Sequence, residues 1–219
     1  FFGSWYSTPI IRRVFGETKA GKFDAALNRI AAFEKMLADD GALIVKLWLH
    51  LPKQQQKKRL KKLEAEGRIA PDDWKHFKLY DDFTAVSTRA LRRTDAPHAP
   101  WHVIEATDRR YREITAGEII LSALQKKLAA PALAPTPNLT APAAGPGAIA
   151  RKVDSASSLL AHVDLTQKLT EAEYARELER LQARLSKLAW AAHRAGRSTV
   201  LLFEGWDAAG KGRAIRRLT

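Results

Sequence analysis

The sequence predicts an α/β protein: a parallel sheet with helices on both faces, a three-layer α/β/α arrangement in two partial modules. Two observations carry this expectation. Strand-like and helix-like stretches alternate through residues 1–130, as in a parallel sheet whose connections are helices. Near the C-terminal end, the apolar run Val200–Phe203 feeds Gly205-Trp206-Asp207-Ala208-Ala209-Gly210-Lys211-Gly212, with a helix-like segment Arg213–Thr219 behind it. Strand, Gly-x-x-x-x-Gly-Lys loop and helix, in that order, make a phosphate-binding loop.

The elements are justified in chain order. Phe1–Tyr6 reads as a strand. Phe23–Ala38 reads as a helix, because Phe23, Leu27, Ile30, Phe33 and Leu37 recur at helical spacing. Gly41 ends it, and Ala42–His50 follows as a buried strand. Pro52 opens a helix over Lys53–Glu66, and a further helix covers Leu79–Arg93. Trp101–Ala106 reads as a strand and Asp108–Leu128 as a helix. Residues 131–150 hold five of the ten prolines and no charge, an Ala/Pro linker between residues 1–130 and residues 151–219. After the linker, Thr170-Glu171-Ala172-Glu173 is a capping box. It opens a helix to Arg194 whose apolar stripe is Tyr174, Leu178, Leu181, Leu185 and Leu188. Gly196 ends that helix, and Ser198–Glu204 is the strand that carries the phosphate loop.

Composition narrows the class. The chain has 219 residues, no cysteine and a net charge of +13. Disulfides and thiolate metal sites are excluded. No apolar run approaches the roughly 18 residues of a membrane helix, and no signal peptide is visible, so a cytoplasmic protein without a membrane partner is expected. Both halves are basic, which favours polyanions as partners. The chain opens without an initiator methionine and stops inside a helix, so it reads as a piece of something longer.

The loop gives the chemistry. Backbone N–H groups of Gly205, Ala208, Ala209, Gly210, Lys211, Gly212 and Arg213 would cradle phosphate oxygens at the positive end of the following helix, a P-loop NTPase-like arrangement. Lys211 would neutralise the transferring phosphoryl group. Gly212 stands where such loops commonly carry a Ser or Thr that holds Mg²⁺, so Asp207 becomes the metal-ligand candidate, and with Lys211 the catalytic pair. Asp207 equally suits a helix N-cap, and the two roles are compatible. Glu204 is either an outer partner of the site or a strand-end carboxylate paired with an arginine.

Other motifs carry less. Gly16-Glu17-Thr18-Lys19-Ala20-Gly21-Lys22 fits the same spacing, but the two arginines in Ile10–Phe15 before it do not belong to a buried strand. Lys57–Lys62 reads as a solvated basic helix face. The six histidines show no metal spacing, and no helix-turn-helix, zinc finger or ribonucleoprotein motif supports a specific nucleic-acid partner.

Residues 151–219 resemble the start of the polyphosphate kinase 2 family. The resemblance rests on Val163-Asp164-Leu165-Thr166, Glu173-Tyr174, Glu177-Leu178, Leu181-Gln182, the run Phe203–Gly212 and Ile215-Arg216-Arg217-Leu218-Thr219. Residues 1–130 resemble the later portion of a module of the same family. Ser4-Trp5-Tyr6, Phe33–Leu37, Asp39-Asp40-Gly41, Leu47-Trp48, Tyr80–Phe83 and Thr94–Trp101 carry that match. The arrangement is similar to tandem family members that move a phosphoryl group from inorganic polyphosphate to AMP, giving ADP, with Mg²⁺. Arg213, Arg216 and Arg217, on the first turns after the loop, suit either contacts with the polyphosphate chain or a solvated basic face, and active relatives often have a small residue at the place of Arg213; a homo-oligomer is left open. Active members carry Asp-Arg where Phe2-Gly3 stand, and aromatic residues replace expected arginines around Asp73–Lys78. The first module is therefore expected to be a degenerate, structural one, the second the active one, and the isolated chain to turn over little. The rival readings are an ATP-dependent phosphate-loop kinase and a non-catalytic polyanion-binding or dimerising module.

Overall fold

The run Leu43–His50 (β1) is apolar except for Lys46 and His50 and is buried from Ile44 onward, which makes it the central strand of a sheet. In the computed structural model, residues 4–70, 72–130, 160 and 163–218 are described. The remaining elements are α1 (Ser7–Val14), α2 (Ala20–Asp39), α3 (Lys53–Ala65), α4 (Asp73–Lys78), α5 (Tyr80–Thr94), β2 (Trp101–Glu105), α6 (Arg109–Ala129), α7 (Glu171–Arg194), β3 (Thr199–Gly205) and α8 (Lys211–Leu218). The sheet order is β2-β1-β3, and both pairings are parallel. Lys46 meets Trp101 on one side of β1, and Leu49 meets Gly205 on the other.

Strands from residues 1–130 and from residues 163–218 therefore share one sheet. Leu181 and Leu185 of α7 join the same buried cluster as Ile120 and Leu121 of α6. The Tyr174 hydroxyl of α7 donates to buried Glu113 of α6 at 2.5 Å. Residues 131–150, expected as a linker, lie outside the described residues.

Helices cover both faces of the sheet. Lys46 and Trp48 point to the side of α1, α2 and α5, whereas Leu43 and Val45 face Ile119 and Ala123 of α6. Strand alternation produces this split. On the first face the Lys46 ammonium is fully buried. It donates to Glu34 Oε2 at 2.8 Å and to the Thr94 carbonyl at 2.6 Å. Glu34 also accepts from Trp5 Nε1 at 3.0 Å and the Tyr6 hydroxyl at 2.7 Å. Burial lowers the Lys46 pKa against the pull of Glu34, and raises that of Tyr6.

Helix, strand and turn expectations hold with small shifts of boundary, and the Thr170–Glu173 capping box is present. The strand expected at Phe1–Tyr6 needs correction: Ser4 is coil and Trp5-Tyr6 form a turn into α1, while Phe1–Gly3 lie outside the described residues. Helix α1 was not expected. Its Pro9 sits in the first turn, where a missing N–H removes no helical bond. The short α4 was likewise not anticipated.

His50, at the C-terminal end of β1, is 6% exposed, and burial pushes its pKa down to about 4. The unfolded chain takes up a proton near pH 6.5, the folded one only near the lowered value. Between those limits the unfolded state binds more protons, so stability rises with pH. This contribution is complete above about pH 6.5 and is lost as pH falls toward 4, an expected decline of roughly 3 kcal/mol. Urea unfolding at a series of pH values measures it, and His50→Gln should flatten the profile in that window.

Candidate functional site

The loop after β3 is shaped by three unusual backbone positions. Gly205 has φ 137°, Ala208 61° and Gly210 91°. A β-carbon on Gly205 would overlap the Leu49 carbonyl oxygen of β1, so only glycine lets the strand end this close to its neighbour. Lys211 begins α8 and folds back over the loop. Its Nζ donates to the carbonyls of Gly205 at 2.7 Å and Trp206 at 3.0 Å. Ala209 N–H closes a turn onto the Trp206 carbonyl at 3.1 Å.

Asp207 meets a partner that the sequence did not point to. Its Oδ2 lies 2.7 Å from His76 Nδ1 of α4, and both side chains are partly exposed. Among the described residues no group of three or more His, Cys, Asp or Glu could hold a metal. One carboxylate beside a phosphate loop still suits Mg²⁺, which takes one or two carboxylates and fills its shell with water and substrate phosphate oxygens. Gly212 is exposed with open space around it and contributes no ligand.

Glu204 is 6% exposed and accepts from Ser4 Oγ at 2.6 Å, Ser4 N at 3.3 Å and the Ser7 hydroxyl. The arginine pairing weighed for it is replaced by these serines at the entry to α1. Trp206 stacks on Tyr80 with centroids 4.2 Å apart and donates Nε1 to His50 Nδ1 at 3.3 Å. These contacts fix the loop's apolar shoulder against α5 and β1.

A cavity of about 300 Å³ opens beside the loop. Its lining includes Trp48, Phe83, Ser87, Phe203, Lys211 and Ile215. Trp48 Nε1 and Ser87 Oγ are buried there without a hydrogen-bond partner. A cavity of this size with an aromatic lining beside the loop has room for a planar ring.

The expected basic residues separate. Arg213 lies on the exposed first turn of α8, near enough to buried Arg112 to help lower its pKa. Arg216 is exposed. Arg217 turns toward α6 and α7: its Nε is 3.9 Å from Glu113, and its carbonyl accepts from Gln182 at 3.0 Å.

Sequence reasoning missed four side chains from residues 1–130. Gln56 Nε2 donates to the Asp207 carbonyl at 3.3 Å. Arg59 Nη1 donates to the Ala208 carbonyl at 2.6 Å, while its Nη2 reaches the Ala106 and Thr107 carbonyls at 2.7 Å. Arg112, 3% exposed, packs its guanidinium against Gly210 and also donates to the Ala106 carbonyl, at 3.1 Å. Desolvation and the neighbouring Arg59 bring its pKa down to about 10. His76 is the fourth. The available signal was the spacing of Gln56, Arg59 and Leu60, one face of α3 hidden inside a polar run. Lys57, Lys58 and Lys61 in that run are exposed, as expected. The second Gly-Lys match, Gly16–Lys22, runs from the turn after α1 into the first residues of α2 and follows no strand.

The family model of polyphosphate kinase 2 matches residues 1–131 and 168–219. The chain is 43% identical over its whole length to a polyphosphate:AMP phosphotransferase of Pseudomonas aeruginosa, covering 44% of that protein. It is 42% identical to one of Pseudomonas syringae pv. tomato, again over its whole length and 43% of the relative. An AMP/ADP-polyphosphate phosphotransferase of Meiothermus ruber is 30% identical over 129 residues, 57% of this chain and 48% of that protein. A crystal structure described as a polyphosphate kinase 2 from Pseudomonas aeruginosa PA01 matches at 40% identity and a TM-score of 0.52, over all of this chain and 40% of that one. The chain thus spans under half the length of these relatives. No helix among the described residues is long and apolar enough to cross a membrane.

Proposed function

Because the chain belongs to the polyphosphate kinase 2 family, we propose that it carries the phosphate loop of an enzyme that moves a phosphoryl group from inorganic polyphosphate to a nucleotide, AMP in the first place, giving ADP. The observation that carries this reading is the loop itself, with Lys211, Asp207 and the orphaned polar atoms of the adjoining cavity converging on one place.

The reading assigns each group a task. Lys211 leaves the Gly205 and Trp206 carbonyls and neutralises phosphate oxygens, while the first N–H groups of α8 and the loop hold them in place. Asp207, which now pairs with His76, would hold Mg²⁺, and the ion would screen charge on the phosphate oxygens. AMP seats its base in the cavity beside Trp48 and Phe83, with Ser87 Oγ and Trp48 Nε1 on its edge. The transfer is in-line, direct from polyphosphate to nucleotide, and rests on positioning and charge neutralisation. Arg213 and Arg216 receive the next units of the polyphosphate chain, a linear polyanion that suits a row of cations. Arg217, turned toward Glu113, is the weaker contact of the three. Residues 1–130 derive from a module without its own chemistry and act as the scaffold of the loop in 151–219. A cytoplasmic location accords with these substrates.

Because this chain spans under half the length of its relatives and is expected to turn over little by itself, the test incubates a protein extended to their full length with long-chain polyphosphate, Mg²⁺ and AMP, without ATP, and follows nucleotides by chromatography. A second readout titrates tripolyphosphate without nucleotide. ADP formation, reduced at least about a hundredfold in Lys211→Ala, is the expected result. A folded protein that binds tripolyphosphate yet forms no ADP would reduce the reading to a polyanion-binding module. ADP formation from AMP only with ATP as donor would make it an ordinary kinase.

A further inference from the structure

Two side chains of α3 reach the phosphate loop, and they reach consecutive carbonyls. Gln56 and Arg59 lie three residues apart, on one face of the helix. Gln56 Nε2 donates to the Asp207 carbonyl at 3.3 Å and Arg59 Nη1 to the Ala208 carbonyl at 2.6 Å. A trans peptide is planar, with its C=O and N–H on opposite sides. Drawing both carbonyls toward α3 therefore turns the N–H groups of Ala208 and Ala209 away from it. The Ala209 N–H, so turned, lies inside the loop and donates to the Trp206 carbonyl at 3.1 Å, a bond that phosphate would have to share or replace.

Ala208 is the one described non-glycine residue with positive φ, 61°, between these two peptides. A left-handed alanine costs on the order of 1–2 kcal/mol unless its surroundings hold it. Such a turn is what makes successive N–H groups converge into an anion-binding nest. Arg59 is suited to hold it, because the same guanidinium also ties the Ala106 and Thr107 carbonyls after β2, both at 2.7 Å. Its position is thus set by the sheet and transmitted to the loop.

We propose that Gln56 and Arg59 are positioning residues that orient the Asp207–Ala208 and Ala208–Ala209 peptides, so that the loop's N–H groups are aimed at phosphate before it binds. The inference rests on the phosphate-loop reading. Neither side chain touches phosphate; both act through the loop's carbonyls. The scaffold segment of the chain thereby sets the affinity of the loop that lies beyond the linker.

The experiment titrates tripolyphosphate into the wild-type chain and into Gln56→Leu, Arg59→Lys and Arg59→Met, at several salt concentrations, with thermal unfolding of each. Gln56→Leu changes no charge, and Arg59→Lys keeps the charge but cannot span three carbonyls. Each should weaken binding roughly tenfold, the loss of about one N–H contact to a charged oxygen. The slope of log affinity against log salt should stay as in the wild type, since no cation in contact with phosphate is removed. Full rescue by Arg59→Lys with a shallower slope in Arg59→Met would show that Arg59 acts only through its charge, and would overturn the proposal. So would unchanged affinity in a folded Gln56→Leu. Should the variants not fold, amide shifts in the wild type decide: the Ala208 and Ala209 signals must move on adding tripolyphosphate, and their failure to move would overturn it. If the wild type itself binds no tripolyphosphate, the phosphate-loop reading fails first, an outcome separate from these.

Discussion

Gly205→Ala is expected to destabilise the protein by about 3–5 kcal/mol, and to abolish phosphate binding in whatever remains folded. Two independent costs combine. At φ 137° an L side chain is strained whatever the space around it. The added β-carbon would also overlap the Leu49 carbonyl oxygen and lie 2.9 Å from the Leu49 carbonyl carbon and nitrogen. Those atoms belong to a fully buried residue of the central strand, which cannot step aside. Relief must come from β3, either by breaking its last pairing, Leu49↔Gly205, or by moving the loop that follows. Urea denaturation and tripolyphosphate titration of the same sample read both effects. A variant with wild-type stability and affinity would refute the close approach.

Lys46→Met should cost a comparable amount, about 3–5 kcal/mol, although methionine is apolar and similar in length. The substitution leaves the Glu34 carboxylate buried at 1% exposure with its cation gone. Trp5 and Tyr6 still donate to Glu34, but both of those bonds are to a single oxygen, Oε1; the lysine served Oε2. The Thr94 carbonyl also loses its donor. Adding Glu34→Leu to Lys46→Met should recover part of the loss, because it removes the unpaired buried carboxylate, although Trp5 Nε1 and the Tyr6 hydroxyl then lose their acceptor. Thermal unfolding of the two single variants and the double variant forms the cycle that tests this. Additive losses in the double variant would argue against coupling.

The elements with strong periodicity were legible. The apolar run of β1, the stripe of α7 and its capping box, and the strand–loop–helix of the phosphate site fold as their residue patterns imply. Short helices without a full stripe were not. The eight residues of α1 and six of α4 present too few turns for a pattern, and tertiary contacts stabilise them instead. The loop itself was visible because its glycines fall at a fixed spacing between a strand and a helix. Its supports were not, because Arg59 and Arg112 act on backbone carbonyls, which any sequence presents. Arg59 was further masked by lysines at positions 57, 58, 61 and 62. The polar atoms left unpaired at Trp48 and Ser87 depend on which helices cover the sheet, a property of the assembled fold.

The joining of β3 to β1 has a kinetic side. Trp206 and His50, which meet beside the loop, are 156 residues apart in the chain. Pairings of such long sequence separation form late, since chain entropy is lost before any contact is gained. The loop's geometry depends on Leu49, Gln56 and Arg59, so it cannot mature while the two ends of the chain remain apart. Folding and the appearance of the phosphate site should therefore be one event, and a polyanion that binds only the finished loop should shift the equilibrium toward the joined state by mass action.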